Sequence, residues 1–98
     1  MKIVIQTLDF VLWAELECYI TESLTKLEPQ AISIVRAEVI LGEDNNDSSR
    51  AKFCNVRLIT TGAAYLVAQH ADTWEHAVDA TVNDLARKIK KDTSSSLP

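Results

Sequence analysis

Residues 32–41 read Ile-Ser-Ile-Val-Arg-Ala-Glu-Val-Ile-Leu, and side chains of different character alternate along most of this stretch. Alternation with a period of two and β-branched side chains is typical of a strand with one face against a core. The inward-facing side chains are predicted to be Val35, Ala37, Val39 and Leu41. The outward-facing side chains are predicted to be Arg36, Glu38 and Ile40. We therefore expect this stretch to be the central strand of a sheet.

The chain before the central strand is predicted to form a short strand and a helix. The side chains of residues 2–6 alternate between two sides, as they do in a strand. Asp9 is a suitable helix N-cap, and apolar residues recur after it at helical spacing. The apolar stripe of this helix comprises Leu12, Leu16, Ile20, Leu24 and Leu27. Pro29 disfavours helical geometry at the residue before it, so we expect the helix to end near Leu27.

The chain after the central strand is predicted to form two more strands and a second helix. Residues 52–61 and 64–70 alternate, and a glycine lies between them at a tight turn. Asp72 and Glu75 have the spacing of a capping pair, and the buried stripe of the last helix begins at Trp74. We expect Trp74 to be a buried anchor and not a platform on which a base stacks. This order predicts an α+β domain, βαβββα, with a four-stranded sheet and both helices on one face.

Length and composition favour one small folded domain. A chain of 98 residues with 47% hydrophobic residues can form a core without disulfides or metals. We expect a single domain over residues 1–92 and a disordered tail over residues 93–98, which are poor in apolar side chains. No apolar run approaches the ~20 residues that cross a bilayer, and the N-terminus does not resemble a secretory signal. We therefore expect a cytoplasmic protein without a membrane partner.

Two groups of residues resemble metal ligands but lack a complete set. The polar loop over residues 42–50 is acidic, yet it has no closing Glu of the kind that a calcium-binding hand requires. His70, Asp72 and His76 lie close together in the sequence without a fourth ligand. We therefore expect neither a metal nor another cofactor.

The cysteines, Cys18 and Cys54, do not form a CxxC motif. Cys18 lies among acidic residues, whereas a nucleophilic thiol needs a base and a basic environment. Two reduced thiols are the interpretation that fits a cytosolic protein, and a disulfide between them stays open. The chain also lacks a glycine-rich phosphate loop, and we predict that it is not an enzyme.

Four cations fall within five positions near the end of the last helix. They are Arg87, Lys88, Lys90 and Lys91. At 100° per residue, Arg87, Lys90 and Lys91 lie opposite the buried stripe. Cations at this end complement the helix dipole, and they could equally contact phosphates. Spacing alone leaves both interpretations open, although a net charge of -4 argues against nucleic-acid binding over the whole surface.

A series of short motifs from the central strand to the last helix points to one family. The motifs are Arg36-x-Glu38-Val39-x-Leu41, the polar loop with Asn45, Lys52-x-Cys54, Gly62, His70-Ala71-Asp72-Thr73, Ala77-Val78-Asp79 and Leu85-x-Arg87. Together they resemble the bacterial ribosome hibernation-promoting factors, which are also described as ribosome-associated inhibitors, subunit interface proteins and sigma factor modulation proteins. The resemblance covers about residues 2–91 in the order of the family's elements.

The resemblance implies a βαβββα domain like that of double-stranded-RNA-binding proteins. Members of the family bind the small ribosomal subunit in the channel for messenger and transfer RNA, and they stop translation in stationary phase. Long forms carry an extra C-terminal domain, whereas this chain ends at Pro98 and is similar to the short forms. The implied partner is therefore the small subunit, with its rRNA contacted by Arg87, Lys88, Lys90 and Lys91.

The first helix departs from the family pattern. Family members usually carry Arg and Lys on this helix, whereas this chain carries Lys26 alone among acidic residues. The acidic residues are Glu15, Glu17, Glu22 and Glu28. This departure leaves a second function open, in which the same fold is a protein-interaction module with weak or no RNA binding.

The sheet face that the helices leave uncovered is predicted to mix apolar and charged side chains. The apolar ones are Val4, Ile34, Ile40, Phe53 and Ile59, and the polar ones are Arg36, Glu38, Asn55 and Arg57. Charges of both signs on an apolar patch are self-complementary, which a two-fold dimer requires. We expect a weak homodimer through this face; the alternative is an ordinary solvated sheet with scattered apolar residues.

Overall fold

Six elements in the predicted order make up the fold. The computed structural model describes residues 2–8, 10–27, 34–46 and 49–95. The elements are β1 (Lys2–Thr7), α1 (Ala14–Thr25), β2 (Ile34–Asn46), β3 (Ser49–Thr60), β4 (Ala64–Ala71) and α2 (Trp74–Ser95). The sheet has the order β1-β2-β3-β4, with β1 parallel to β2 and the other pairs antiparallel. The predicted α+β class and βαβββα order are confirmed.

Both helices pack on one face of the sheet. Along β2 the alternation holds, because Ala37, Val39 and Leu41 are buried in the core. In register, they lie opposite Leu58, Val56 and Cys54 of β3. The helices contribute Leu16, Ile20, Leu24, Trp74, Ala77, Val78, Leu85 and Ile89 to the same core. One face of the sheet is thereby covered, and the other is left open.

The start of β2 departs from the predicted alternation. Ile34 pairs with Thr60 and Arg36 pairs with Ile59, so Val35 is an extra residue on β2. One inserted residue reverses the alternation on its far side. Ile34 is therefore buried in the core, whereas Val35 is 52% exposed. The predicted inward position of Val35 and outward position of Ile34 are both wrong.

Helix α1 begins later than the sequence predicted. Its N-cap is Trp13, whose backbone is extended and whose side chain makes no capping hydrogen bond. Asp9 lies outside the described residues, and a helix that begins at Ala14 makes Asp9 the wrong N-cap position. The linker turns earlier, where the Thr7 hydroxyl donates to the Phe10 carbonyl at 2.7 Å.

Helix α2 is capped by Thr73 and not by the predicted pair of Asp72 and Glu75. The His76 backbone N–H donates to Thr73 Oγ1 at 3.1 Å, which is the usual N-cap hydrogen bond. The helix continues to Ser95, three residues past the boundary expected for the folded domain. Residues 96–98 lie outside the described residues.

Trp74 is a buried anchor, as predicted. Its side chain is 9% exposed, and its indole Nε1–H donates to the Gly42 carbonyl at 3.1 Å. Its ring stacks on Phe10 at 4.2 Å between centroids, and Trp13 meets it edge-on at 5.7 Å. Lys52 Nζ lies 5.0 Å from the centroid of the same ring. One side chain thus joins the start of α2 to β2, β3 and the β1–α1 linker.

The two cysteines lie in different environments and are free thiols. Cys18 is exposed on α1, whereas Cys54 is buried on the core face of β3. Burial raises the pKa of the Cys54 thiol to about 11, although its contact with Thr81 acts in the opposite direction. The disulfide that the sequence left open does not form in this fold.

We expect Trp74→Ala to lower the free energy of unfolding by about 3–5 kcal/mol, because it empties a buried site and removes a donor from the Gly42 carbonyl. Urea denaturation of the parent and variant measures this difference. Trp13→Ala is the matched control, since Trp13 is 39% exposed and should lose clearly less. Equal losses in the two variants would show that Trp74 is not the anchor.

Candidate nucleic-acid interface

The basic cluster, which comprises Arg87, Lys88, Lys90 and Lys91, lies on the C-terminal half of α2. All four side chains are exposed, and the helix is fixed by Leu85 and Ile89, which are buried at 0% and 3% exposure. At 100° per residue, the four cations span about 160° of the helix circumference. The four cations are therefore distributed around nearly half of the helix circumference and do not form a single row. Their role as an RNA site stays a prediction.

The cations of the basic cluster differ in their neighbours. Arg87 Nη2 lies 3.4 Å from Asp84 Oδ1, and Gln69 Nε2 donates to Asp84 Oδ2 at 3.2 Å. Lys88 and Lys91 border a shallow concavity with Ala64 and Tyr65 of β4. Among the described side chains, no carboxylate forms an ion pair with any of the three lysines. The Asp84 carboxylate thus balances part of the Arg87 charge, a pairing that sequence reasoning missed.

The two helices run in the same direction across the sheet. Their N-terminal ends meet where Trp13 contacts Trp74, and further along the Tyr19 hydroxyl donates to Asp79 Oδ1. This hydrogen bond, then burial and the negative charges of Asp79 and Glu75, raise the pKa of Tyr19. The C-terminal ends of both helices therefore lie at one end of the sheet.

Charge on the helical face is divided between the two ends. Acidic residues occupy the first turns, with Glu15 and Glu17 on α1 and Glu75 on α2. The basic cluster and Lys26, the C-cap of α1, lie at the opposite end. Each sign complements the helix macrodipole at its own end. Within the described residues, the cations carried by the two helices lie at one end of this face. Lys52 of β3 lies at the other end, beside Trp74, and the positive charges do not form a groove along both helices.

The open face of the sheet carries most of the residues predicted for a dimer, but its charges already pair within the chain. Glu38 Oε2 lies 3.3 Å from Arg36 Nε, and Glu38 Oε1 lies 3.7 Å from Arg57 Nη1. Ile40, Phe53 and Ile59 are half-buried on this face. Ile34 is not on this face, because the bulge turns it into the core. A homodimer through this face stays a prediction.

Leu66 of β4 belongs to the same face, although the sequence reasoning did not single it out. It lies opposite Arg57 in register and is 74% exposed. The period-two pattern of residues 64–70 could have identified it, because Leu66 falls out of phase with the buried Val67.

The surroundings of the histidines bear on the metal site that their spacing suggested. In the parts of the chain that the structure describes, no group of three or more His, Cys, Asp and Glu side chains is placed to hold a metal. His76 Nδ1 instead lies 2.8 Å from Asp72 Oδ1, one helical turn away. The described helices include none that is long and apolar enough to cross a membrane.

The fold defines the class as an α+β protein with a mixed four-stranded sheet and two helices on one face. Residues 3–95 match the model of the family described as sigma 54 modulation protein / S30EA ribosomal protein, and the chain belongs to this family. The match confirms the resemblance found in the sequence. A comparison with curated proteins gave no match.

Two solved structures share the fold. The N-terminal domain of Thermus thermophilus Protein Y superposes with a TM-score of 0.82 at 16% identity, covering 93% of this chain and 98% of that one. A ribosomal subunit interface protein from Coxiella burnetii gives a TM-score of 0.85 at 15% identity, covering 96% of this chain and 99% of that one. At such low identity these structures establish the fold, and family membership rests on the family match.

We expect Asp72→Asn to lower the pKa of His76 towards its ordinary value of 6.5, because the hydrogen bond to Asp72 is the main cause that raises it. Because the pKa of His76 is raised in the folded chain, protonation of His76 stabilises the fold. This contribution is fully present below pH 6.5 and is lost as pH rises through the raised pKa of His76. The same contact lowers the pKa of Asp72 below 3.8, so stabilisation is also lost as pH falls through that lowered pKa. Titration of the imidazole proton signals by NMR measures the change.

Glu75→Gln is the control for this titration, because Glu75 makes the smallest contribution to the raised pKa of His76. We expect the glutamine variant to change the pKa less than Asp72→Asn does. A His76 pKa that is the same in the parent and in Asp72→Asn would show that the pair does not form in solution.

Proposed function

We propose that this protein is a ribosome-associated translation inhibitor, a hibernation factor that binds small-subunit rRNA through the basic cluster of α2. Membership of the sigma 54 modulation protein / S30EA ribosomal protein family carries this proposal. The four exposed cations on one firmly packed helix end support it. On this proposal the protein acts in the cytoplasm during the stress response, without enzymatic activity and without a cofactor.

The arrangement of charge favours one orientation on RNA. Phosphates would attract the basic cluster and repel the acidic first turns that carry Glu15, Glu17 and Glu75. The protein would therefore approach with the C-terminal ends of its helices first. Each phosphate contact contributes a slope of roughly −0.7 to −0.9 to a plot of log affinity against log salt. Because Asp84 partly neutralises Arg87, the basic cluster supplies three or four phosphate contacts. These give a slope of about −2 to −4.

We expect the triple variant Arg87→Glu, Lys90→Glu, Lys91→Glu to lose binding to small subunits while its melting temperature stays close to that of the parent. The three side chains are exposed, so reversing their charge removes phosphate contacts without disturbing the core. Co-pelleting with purified small subunits over a potassium chloride series measures binding and its salt slope.

Two single variants test whether position matters. Lys2→Glu reverses one charge, as each substitution of the triple variant does, but on β1, where Lys2 pairs with Arg36 on the open side of the sheet, and it should leave pelleting almost unchanged. Asp84→Asn removes the carboxylate beside Arg87 and should strengthen binding. A triple variant that binds as well as the parent would show that the site is elsewhere. A parent that fails to pellet at low salt would refute RNA binding itself.

A second candidate is a protein-interaction module on the same fold with weak or no RNA binding. The exposed acidic side of α1 favours it, together with the apolar side chains beside it: Val11 is 87% exposed and Trp13 is 39% exposed. Such a surface complements a basic segment with apolar side chains. Reversing Glu15, Glu17 and Glu22 to Lys would abolish that interaction, whereas it should strengthen binding if the ligand is RNA. Pelleting of this variant therefore separates the two functions.

A further inference from the structure

Strand β4 forms one edge of the sheet and carries no charged residue. It reads Ala-Tyr-Leu-Val-Ala-Gln-His-Ala over residues 64–71, without Lys, Arg, Asp, Glu, Gly or Pro. Edge strands of soluble proteins are usually protected by charges, proline or a bulge, because their backbone groups can pair with another chain. The register between β3 and β4 runs from Ala64 to Ala71 without a shift, so β4 has none of these protections.

The backbone of β4 presents alternate residues to the edge. The Thr60 N–H donates to the Ala63 carbonyl at 2.9 Å, so these two residues form a hydrogen-bonded pair at the start of the ladder. In an antiparallel ladder such pairs recur at every second residue. The N–H and C=O groups of Leu66 and Ala68 therefore point away from β3. The side chains of both residues are exposed, that of Leu66 to 74%.

We propose that a second copy of this chain pairs with β4 in the antiparallel direction, with the two-fold axis at Leu66. The pairing places Leu66 opposite Leu66 of the second copy and Ala64 opposite Ala68. Each such pair exchanges two backbone hydrogen bonds. The two four-stranded sheets become one sheet of eight strands, four from each copy. This dimer differs from one through the open face, where Arg36 and Arg57 already neutralise Glu38.

The charges of α2 complement a second copy in this orientation. Asp84 contacts Gln69 near the end of β4, whereas Lys88 and Lys91 lie beside Ala64 and Tyr65 at its start. Helix α2 therefore runs antiparallel to β4, and the two-fold axis sets the two α2 helices side by side in opposite directions. Lys88 and Lys91 of one copy then lie at the level of Asp84 of the second copy. Opposite charges meet on both sides of the axis.

The inference does not depend on RNA binding, but it bears on it. In the dimer the basic cluster of each copy lies beside the acidic half of the other copy's α2. Phosphates would then compete with the second copy for the same cations. Self-pairing and binding to RNA are expected to exclude each other.

Sedimentation equilibrium of the full chain from low to several hundred micromolar tests the proposal. We expect the parent to dimerise, and we expect Leu66→Lys to weaken the dimer by about tenfold or more. Ala68→Pro removes one outward N–H that β3 does not use, which an edge strand tolerates, and should weaken the dimer similarly. Val11→Lys is the matched control, because it adds a lysine at an exposed apolar position away from β4. It should leave the dimer unchanged.

Amide hydrogen exchange gives a second measurement that does not rely on a variant. At high concentration, exchange at Leu66 and Ala68 should slow by about tenfold or more relative to the dilute chain, because only the dimer uses these N–H groups. A parent that stays monomeric at several hundred micromolar overturns the proposal. So does a dimer that resists Leu66→Lys and is lost in Phe53→Lys, which would place the contact on the open face.

Discussion

The hydrogen bond from the Trp74 indole to the Gly42 carbonyl is the interaction on which the arrangement of the other elements depends. It ties the first residue of α2 to β2 inside the core. The same indole stacks on Phe10, which fixes the linker between β1 and α1. Gly42 also admits the Phe53 ring on the open side, where a Cβ would lie 2.6 Å from that ring. Both sides of β2 are thus closely packed at Gly42. Without the Trp74 donor, the buried Gly42 carbonyl would cost about 1–3 kcal/mol.

This junction also determines where charge lies on the helical face. Because Trp13 and Trp74 meet, both helices start at the same end of the sheet and run in the same direction. Two parallel macrodipoles place their positive ends together, so acidic side chains are favoured there and cations at the other end. The basic cluster is therefore consistent with helix stability alone, which is why its number of cations does not establish a function. What favours RNA is the combination of family membership with lysines that lack an ion-pair partner among the described side chains.

Much of the fold could be predicted from the sequence, because period and order are local properties. The alternation of Ala37, Val39 and Leu41 and the helical stripe through Leu16 and Ile20 both correspond to buried side chains. The bulge at Val35 could not be predicted, since an apolar residue fits either face and only the partner strand decides the register.

The N-cap of α2 and the partners of the charged site residues were less predictable, because they too depend on neighbours in space. Asp72 and Thr73 are both good N-caps, and the choice between them depends on where β4 ends. The partners of Arg87 and Glu38 come from spatial neighbours: Asp84 is held by Gln69 of β4, and Arg57 reaches Glu38 from β3. The local sequence contains the residue types but not these distances. The cations could therefore be predicted from the sequence, whereas their ion-pair partners could not.

The open face of the sheet and its β4 edge are suited to a partner to different degrees. On the open face, the carboxylate of Glu38 lies between two guanidinium groups, so a partner would have to displace interactions that already exist. At the edge, β4 offers backbone groups beside the exposed side chains of Leu66 and Ala68, and the strand has no Lys, Arg, Asp or Glu whose charge would have to be desolvated. Main-chain pairing also fixes direction and register, which scattered apolar side chains do not. Of these two, the β4 edge is therefore where a second copy meets less competition. Because α2 lies over the same strand, any chain that pairs there also meets the cations proposed for RNA.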